Sequence, residues 1–336
     1  MDFWTLFQAL PKPSSAAAFT IDTSTSSVRI ARSFANHPAL IIAMVDDDDS
    51  LTPRRLANLT FTPPTEMLVA RTDGSVEQAR FAVLECIAED PELGRYFCRV
   101  LSAFFVDGDV AASGASMATE LERVLDGIAA LFRSLRRPGK TTVQGLWAEL
   151  AIIRWASAPE RAISAWHSEV TQLHDFGVGA FRIEIKSTEK KLREHFFRLD
   201  QLNSATAGAT IIASLMLQRS SHGPSVFELV NDISAQVGHE AAMRLETIVA
   251  DSLGEAWRDA DTDDLRFDLD ATKATLRCYR VDDIPQVPQP LPVGVKSVSF
   301  SADLSASPDH SLADVRVLAP FYADLLPPEP ALRVPA

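Results

Sequence analysis

Residues 181–187 read Phe-Arg-Ile-Glu-Ile-Lys-Ser, an alternation that an extended strand sorts cleanly onto two faces. Side chains alternate along a strand, so Phe181, Ile183 and Ile185 share one face and Arg182, Glu184 and Lys186 the other. A Glu and a Lys two positions apart, with His174-Asp175-Phe176 just upstream, can build a divalent-metal site with a cationic neighbour. Carboxylate oxygens hold Mg²⁺, the ion polarises a phosphate and acidifies a water, and the lysine positions the nucleophile or neutralises charge. Metal-assisted phosphodiester hydrolysis needs that combination. Taken alone, a Glu-x-Lys pair is more often a solvated strand face, so the surroundings have to decide.

Upstream, the spacing predicts a helix that starts at Thr141, with Gln144 completing a capping box. It continues through Gly-Leu-Trp-Ala-Glu-Leu-Ala-Ile-Ile-Arg-Trp-Ala to residue 156 or 157. At about 100° per residue, Glu149 falls between Ile152 and Ile153 on the wheel, near Leu146. A carboxylate among apolar neighbours costs several kcal/mol of desolvation unless it is compensated. Glu149 therefore calls for a buried Arg or Lys partner, or a metal.

This order of elements is similar to the PD-(D/E)xK phosphodiesterase superfamily, the fold of many restriction endonucleases: a helix with an inward Glu, a strand near 161–167, an Asp, then a strand with Glu-x-Lys. The closer resemblance is to a bacterial branch of it, the DUF4420-type proteins. It rests on Gly145-Leu146-Trp147-Ala148-Glu149-Leu150, Ala165-Trp166-His167, His174-Asp175-Phe176, Ile183-Glu184-Ile185-Lys186-Ser187-Thr188 and Leu199-Asp200-Gln201-Leu202. Tyr279-Arg280-Val281-Asp282-Asp283-Ile284-Pro285 and Leu291-Pro292-Val293-Gly294-Val295 extend it toward the C-terminus. His174 stands where the superfamily name expects Pro. The resemblance implies Asp175 and Glu184 as main metal ligands, with the Ile185 carbonyl as a third. It implies Lys186 as the group that orients the attacking water or stabilises the phosphorane charge, and Glu149 as a further ligand or the holder of a second ion. Gln201, opening a following helix, would touch Lys186 or the substrate phosphate. Ser187 and Thr188 would support the site through their hydroxyls. The implied cofactor is Mg²⁺, with Mn²⁺ as a substitute.

Charge sets a limit on how such a chain could grip nucleic acid. Its 32 Lys and Arg against 45 Asp and Glu leave a net charge of −13, the wrong sign for general phosphate binding. Distribution matters more than the total. Lys186, Lys190, Lys191, Arg193, His195 and Arg198 cluster just after the candidate strand, and Lys190, Lys191, Arg193 and Arg198 are the candidate nucleic-acid contacts. A second basic run, 133–140, reads as a solvated helix end. His167 and His174 lie close to the site in sequence and are expected to be structural.

Cys86, Cys98 and Cys278 lack metal-ligand spacing, and their odd number argues against a disulfide framework. A reducing, cytoplasmic setting is expected. The start is acidic, without a basic region and apolar run, and no apolar stretch reaches the roughly 18 residues of a membrane span.

Three segments are expected: an N-terminal strand-and-helix module over 1–136, a nuclease-like core over 137–305, and a loosely held Pro/Ala-rich tail over 306–336. In the first, strands are expected near 28–30, 40–45, 58–62 and 66–71, with a Pro63-Pro64 turn between the last two. Residues 75–106 carry helical periodicity, with Pro91 starting a second helix; another helix spans 117–136. Asp46–Asp49 reads as a solvated turn, since four consecutive aspartates cannot converge as spaced ligands do. In the core, a central strand is expected at 209–218, helices at 225–236 and 238–252, and strands at 264–269, 274–281 and 295–302.

The fold class expected is α/β: a restriction-endonuclease-like core with a central mixed sheet flanked by helices, plus an N-terminal α+β module. The leading function is Mg²⁺-dependent DNA endonuclease in a prokaryotic restriction or phage-defence system, as a homodimer or beside a partner protein that brings the nucleic acid while this chain supplies the cut. The alternative is a nuclease-fold subunit that does not cut, docking a helicase, methyltransferase or sensor. No P-loop, dinucleotide turn, Gly-x-Ser-x-Gly elbow or zinc spacing points elsewhere.

Overall fold

A computed structural model of the chain describes residues 3–13, 17–22, 24, 26–44, 51–56, 58–105, 117–167, 173–202, 209–261 and 265–328. The chain is α/β and divides into two compact units, Met1–Arg136 and Arg137–Ala336.

The first unit is built on strands β1 (Phe19–Ile21), β2 (Val28–Ser33), β3 (Pro38–Ala43), β4 (Arg54–Arg55), β5 (Leu59–Arg71) and β6 (Val76–Cys86). Their order, β1-β2-β3-β6-β5-β4, is closed by a parallel pairing of β1 with β5 through Phe19 and Val69, Thr20 and Ala70, and Ile21 and Arg71. Five strands thus form a small barrel, a closure that removes exposed sheet edges. Ile21, Ala31, Ala39, Ile41, Val69, Phe81 and Val83 fill it. Helices α1 (Phe3–Ala9), α2 (Pro91–Phe104) and α3 (Met117–Ser134) complete the unit.

Two expectations fail here. Pro63-Pro64 makes no turn: β5 runs through it, with a register shift between Thr62 and Thr65 that absorbs the missing N–H groups. Residues 76–86 are a strand rather than a helix, because antiparallel neighbours on both sides bury Phe81, Ala82, Val83 and Leu84 together. A run buried on both faces loses the alternation that distinguishes strand from helix. Pro91 does open α2, with Asp90 capping it. Asp46–Asp49 lies outside the described residues.

The second unit carries helices α4 (Val143–Trp155), α5 (Pro159–Ala165), α6 (Val226–Ser234), α7 (His239–Leu253), α8 (Leu269–Lys273), α9 (Leu312–Arg316) and α10 (Pro320–Leu325). Its main sheet has the order β11 (Arg277–Arg280), β10 (Thr210–Met216), β8 (Phe181–Thr188), β7 (Phe176–Val178). β8 and β10 are parallel and the outer pairings antiparallel, so the sheet is mixed. β9 (Glu194–Arg198) and β12 (Ser299–Asp303) form a separate antiparallel ribbon. Phe197 from that ribbon packs with Ile212, Tyr279, Val281 and Leu304 in one apolar cluster.

The strand expected near 161–167 is instead α5, opened by Pro159 at its first turn; only Trp166 bridges to Phe176. The 264–269 strand shrinks to one bridge between Phe267 and Arg219, because Asp268 caps α8. The tail beyond 305 is anchored through residue 328 by α9 and α10, which bury Val315, Phe321, Tyr322 and Leu325. Its Pro320 starts a helix instead of marking loose chain. Among the described residues, no helix is long and apolar enough to cross a membrane.

Candidate metal and catalytic site

α4 brings the first acid. Thr142, one residue later than expected, caps the helix by accepting the Gly145 N–H at 3.0 Å. Gln144 makes no capping box and reaches Ser187 Oγ at 3.3 Å instead. The approach to α4 is tight: a Cβ on Gly139 would sit 2.6 Å from the Leu253 carbonyl at the end of α7. From Leu146 through Ile153 every residue of α4 is buried, Glu149 included at 4% exposure. Its partners among the described residues are neither Arg nor Lys; the sequence setting called for such a partner or a metal. Glu149 Oε2 accepts the Trp166 indole N–H at 2.7 Å and lies 3.0 Å from His167 Nε2. His167 holds a positive φ of 42°, a conformation that costs on the order of 1 kcal/mol for a non-glycine residue and marks an over-determined position.

The hairpin β7–β8 brings the other two acids. Phe176 pairs with Ile183, and continuing that register sets Asp175 opposite Glu184. The Asp175 side chain then accepts the Ile185 N–H at 2.6 Å, extending the ladder past the end of β7. The Asp175 carbonyl accepts the His167 N–H. Glu184, also 4% exposed, accepts Lys186 Nζ at 2.7 Å and Gln201 Nε2 at 2.8 Å, both on Oε1. The polar face of β8 is therefore covered rather than solvated. Lys186 Nζ stands 5.4 Å from the Phe197 ring centre and 3.4 Å from Gln201 Oε1.

Gln201 sits in a single 3₁₀ turn, Leu199–Leu202, not at the start of a helix. It also bonds the Arg198 N–H and the Leu173 carbonyl, so it is locked between β8 and its own loop. His174 is buried, with Nε2 at 2.9 Å from the Gln201 carbonyl, a supporting position.

Electrostatics mark the same place. Burial, then Glu184 and Glu149, hold the Asp175 carboxyl well above the usual carboxylate range. Burial also raises Glu184, against the opposing pull of Lys186. Among the described residues, Glu184 Oε2 is the one buried carboxylate oxygen with no hydrogen-bond partner. Glu149, His167 and Asp175 each offer a ligand atom, all within 4.8 Å of one another. Two buried acids and the half-buried Asp175, with one Glu184 oxygen unsatisfied and Lys186 held by Glu184, form a donor set that fits a divalent cation. His167, expected to be structural, belongs to this set. The signal was its place directly after Trp166, but the chain folds it onto Glu149 only through the α4–α5 turn.

The expected nucleic-acid contacts divide. Arg193 is buried, donating to the Ser214 carbonyl at 3.0 Å, to Ser214 Oγ at 2.9 Å and to the Thr275 carbonyl. It braces β10 and cannot meet a phosphate backbone. His195 is buried beside it, 2.7 Å from Ser214 Oγ, and burial next to Lys186 and Arg193 pushes it down to about 4. Lys190 and Arg198 are exposed but paired with Glu194 and Asp200, and Lys191 is exposed.

No curated protein and no solved structure matches the chain. One family model does, over residues 3–305, with the description "Putative PD-(D/E)XK family member, (DUF4420)". With about nine-tenths of its length matched and the Asp175, Glu184 and Lys186 set gathered at one hairpin, the chain belongs to the DUF4420 family.

Proposed function

We propose that this chain is a metal-dependent endonuclease that hydrolyses phosphodiester bonds of DNA, its second unit serving as a restriction-endonuclease-like core. The observation that carries the reading is the convergence of Glu149, Asp175 and Glu184 beside Lys186, with Glu184 Oε2 left unsatisfied in a buried setting. Asp175, Glu184 and Glu149 would hold the ion, helped by His167 and the Ile185 carbonyl; Mg²⁺ is the expected ion and Mn²⁺ a substitute. When bound, the ion supplies a polarised phosphate and a more acidic water. Lys186, fixed by Glu184 and Gln201, orients that water and counters the charge that builds on the phosphate. Gln201 holds Lys186 and Glu184 in register. Asp175, tied to the Ile185 N–H, keeps its carboxylate aimed at the site without a rotameric search.

The proposed setting is a prokaryotic restriction or phage-defence system in the cytoplasm, with the chain acting as a homodimer or beside a helicase, methyltransferase or sensor. One observation favours a second reading, a nuclease-fold subunit that does not cut: the net charge is −13, and Lys190 and Arg198 already face acids. Incubation with supercoiled plasmid and with single-stranded DNA, in Mg²⁺ or Mn²⁺, separates the two. Metal-dependent nicking that vanishes in Lys186→Ala and Asp175→Ala supports the nuclease. Absence of cutting in every form, with the metal shown to bind, supports the subunit. Equal activity in all three proteins would locate the chemistry elsewhere and sink the site assignment.

A further inference from the structure

A cleft of about 590 Å³ opens beside the C-terminal end of β8, within the roughly 300–1,000 Å³ range of ligand-binding clefts. Lys186 lines it, so it adjoins the candidate catalytic site. Its other walls include the polar groups of Gln144, Ser187 and Lys190 and the ring of Phe196. Phe196 is the anomaly. It lies on the solvent face of the β9–β12 ribbon, opposite Ser301, and is 63% exposed, while its neighbours His195 and Phe197 are buried. The acids that also line the cleft are already engaged: Glu189 with Arg219, and Glu194 with Lys190 and Ser301. The cleft therefore offers a flat aromatic face, hydroxyl and amide groups, and no unpaired carboxylate toward a ligand.

We infer that Phe196 is a stacking platform for an unpaired base, so that the cleft seats a nucleotide of single-stranded or locally opened DNA next to Lys186. The inference rests on the nuclease reading and narrows its substrate. Duplex DNA keeps its base faces stacked on one another, so an exposed ring at a cleft wall can be used fully only by a base outside the stack. Aromatic stacking tolerates every base, so the platform needs no base-reading pattern around it. It also compensates for a surface whose net charge gives little phosphate attraction. Phe196 is largely exposed and stands outside the apolar cluster that holds Phe197, so substitution there leaves the fold intact.

The test is fluorescence anisotropy with a labelled single-stranded oligonucleotide and its duplex, without divalent metal so that nothing is cut. Wild type is compared with Phe196→Ala, Phe196→Leu and Phe196→Trp. The expected result is about tenfold weaker single-strand binding in Phe196→Ala and Phe196→Leu, and wild-type binding in Phe196→Trp with quenching of the new indole. Duplex binding should be unchanged throughout. Full single-strand affinity in Phe196→Leu would overturn the stacking role, as would an equal loss on duplex. Cleavage in Mn²⁺ separates this inference from its premise. Stacking without cutting would leave the platform and remove the nuclease; cutting that is indifferent to Phe196 would do the reverse.

Discussion

In the first unit the buried guanidinium of Arg29 meets Glu77 in a two-pronged pair at 3.0 and 3.1 Å, and Arg71 closes on the same carboxylate. Both Glu77 oxygens are taken, and the Arg29 hydrogen bond leads in holding its carboxyl below the ordinary range. In the second unit Lys186 pairs with Glu184 alone, the other Glu184 oxygen is unsatisfied, and Asp175 is pushed the other way. Charge buried for structure is neutralised on the spot. A buried carboxylate oxygen left without a partner, as at Glu184, marks a candidate place for a ligand.

The largest effect expected from that contrast is on rate. Lys186→Ala should lower metal-dependent cleavage about 10²–10³-fold, while Arg71→Ala, in the other unit, leaves the rate unchanged. A comparable loss in the Arg71 variant, with its fold intact by circular dichroism, would break the comparison. Next comes metal affinity: His167→Ala should weaken Mn²⁺ binding about 10–100-fold by calorimetry. An unchanged affinity would return His167 to the structural role first expected of it.

Stability should move in opposite directions in the two units. Glu77→Gln leaves Arg29 buried without its carboxylate and should cost about 2 kcal/mol, seen in denaturant unfolding. Asp175→Asn keeps an acceptor for the Ile185 N–H but removes a poorly solvated charge, and should stabilise the metal-free protein by about 1 kcal/mol at pH 8. The signs follow from linkage. The folded Asp175 carboxyl is raised, so its contribution is present in acid and lost as pH rises through its folded value; the depressed Glu77 loses its contribution as pH falls through its own. The Asp175→Asn gain should therefore vanish in acid, and a pH-independent gain would mean that the carboxyl is not the cause. The smallest effect belongs to the surface: Lys190→Ala removes an exposed, solvent-screened pair with Glu194 and should leave the denaturant midpoint where it is in wild type.

Much of the site was legible because its parts obey local rules. The two-residue alternation placed Glu184 and Lys186 on one face of β8, and the helical period placed Glu149 inward. Failures came where local rules tie. Residues 76–86 looked helical because burial on both faces hides a strand's period. Arg193 looked like a phosphate contact because it sits in a basic run, yet alternation along β9 continues back to it and turns it under β10.

The sequence by itself determined that Glu149 turns inward and that Glu184 and Lys186 share one strand face, since alternation, wheel position and the improbable cost of an inward Glu are properties of neighbours along the chain. Only the tertiary structure decided what those residues meet. Trp166 and His167 reach Glu149 across 17 and 18 positions, Gln201 reaches Glu184 across 17, and β1 closes onto β5 some 50 residues on. Such contacts depend on loop paths and on the packing of whole elements, which no short window of sequence encodes.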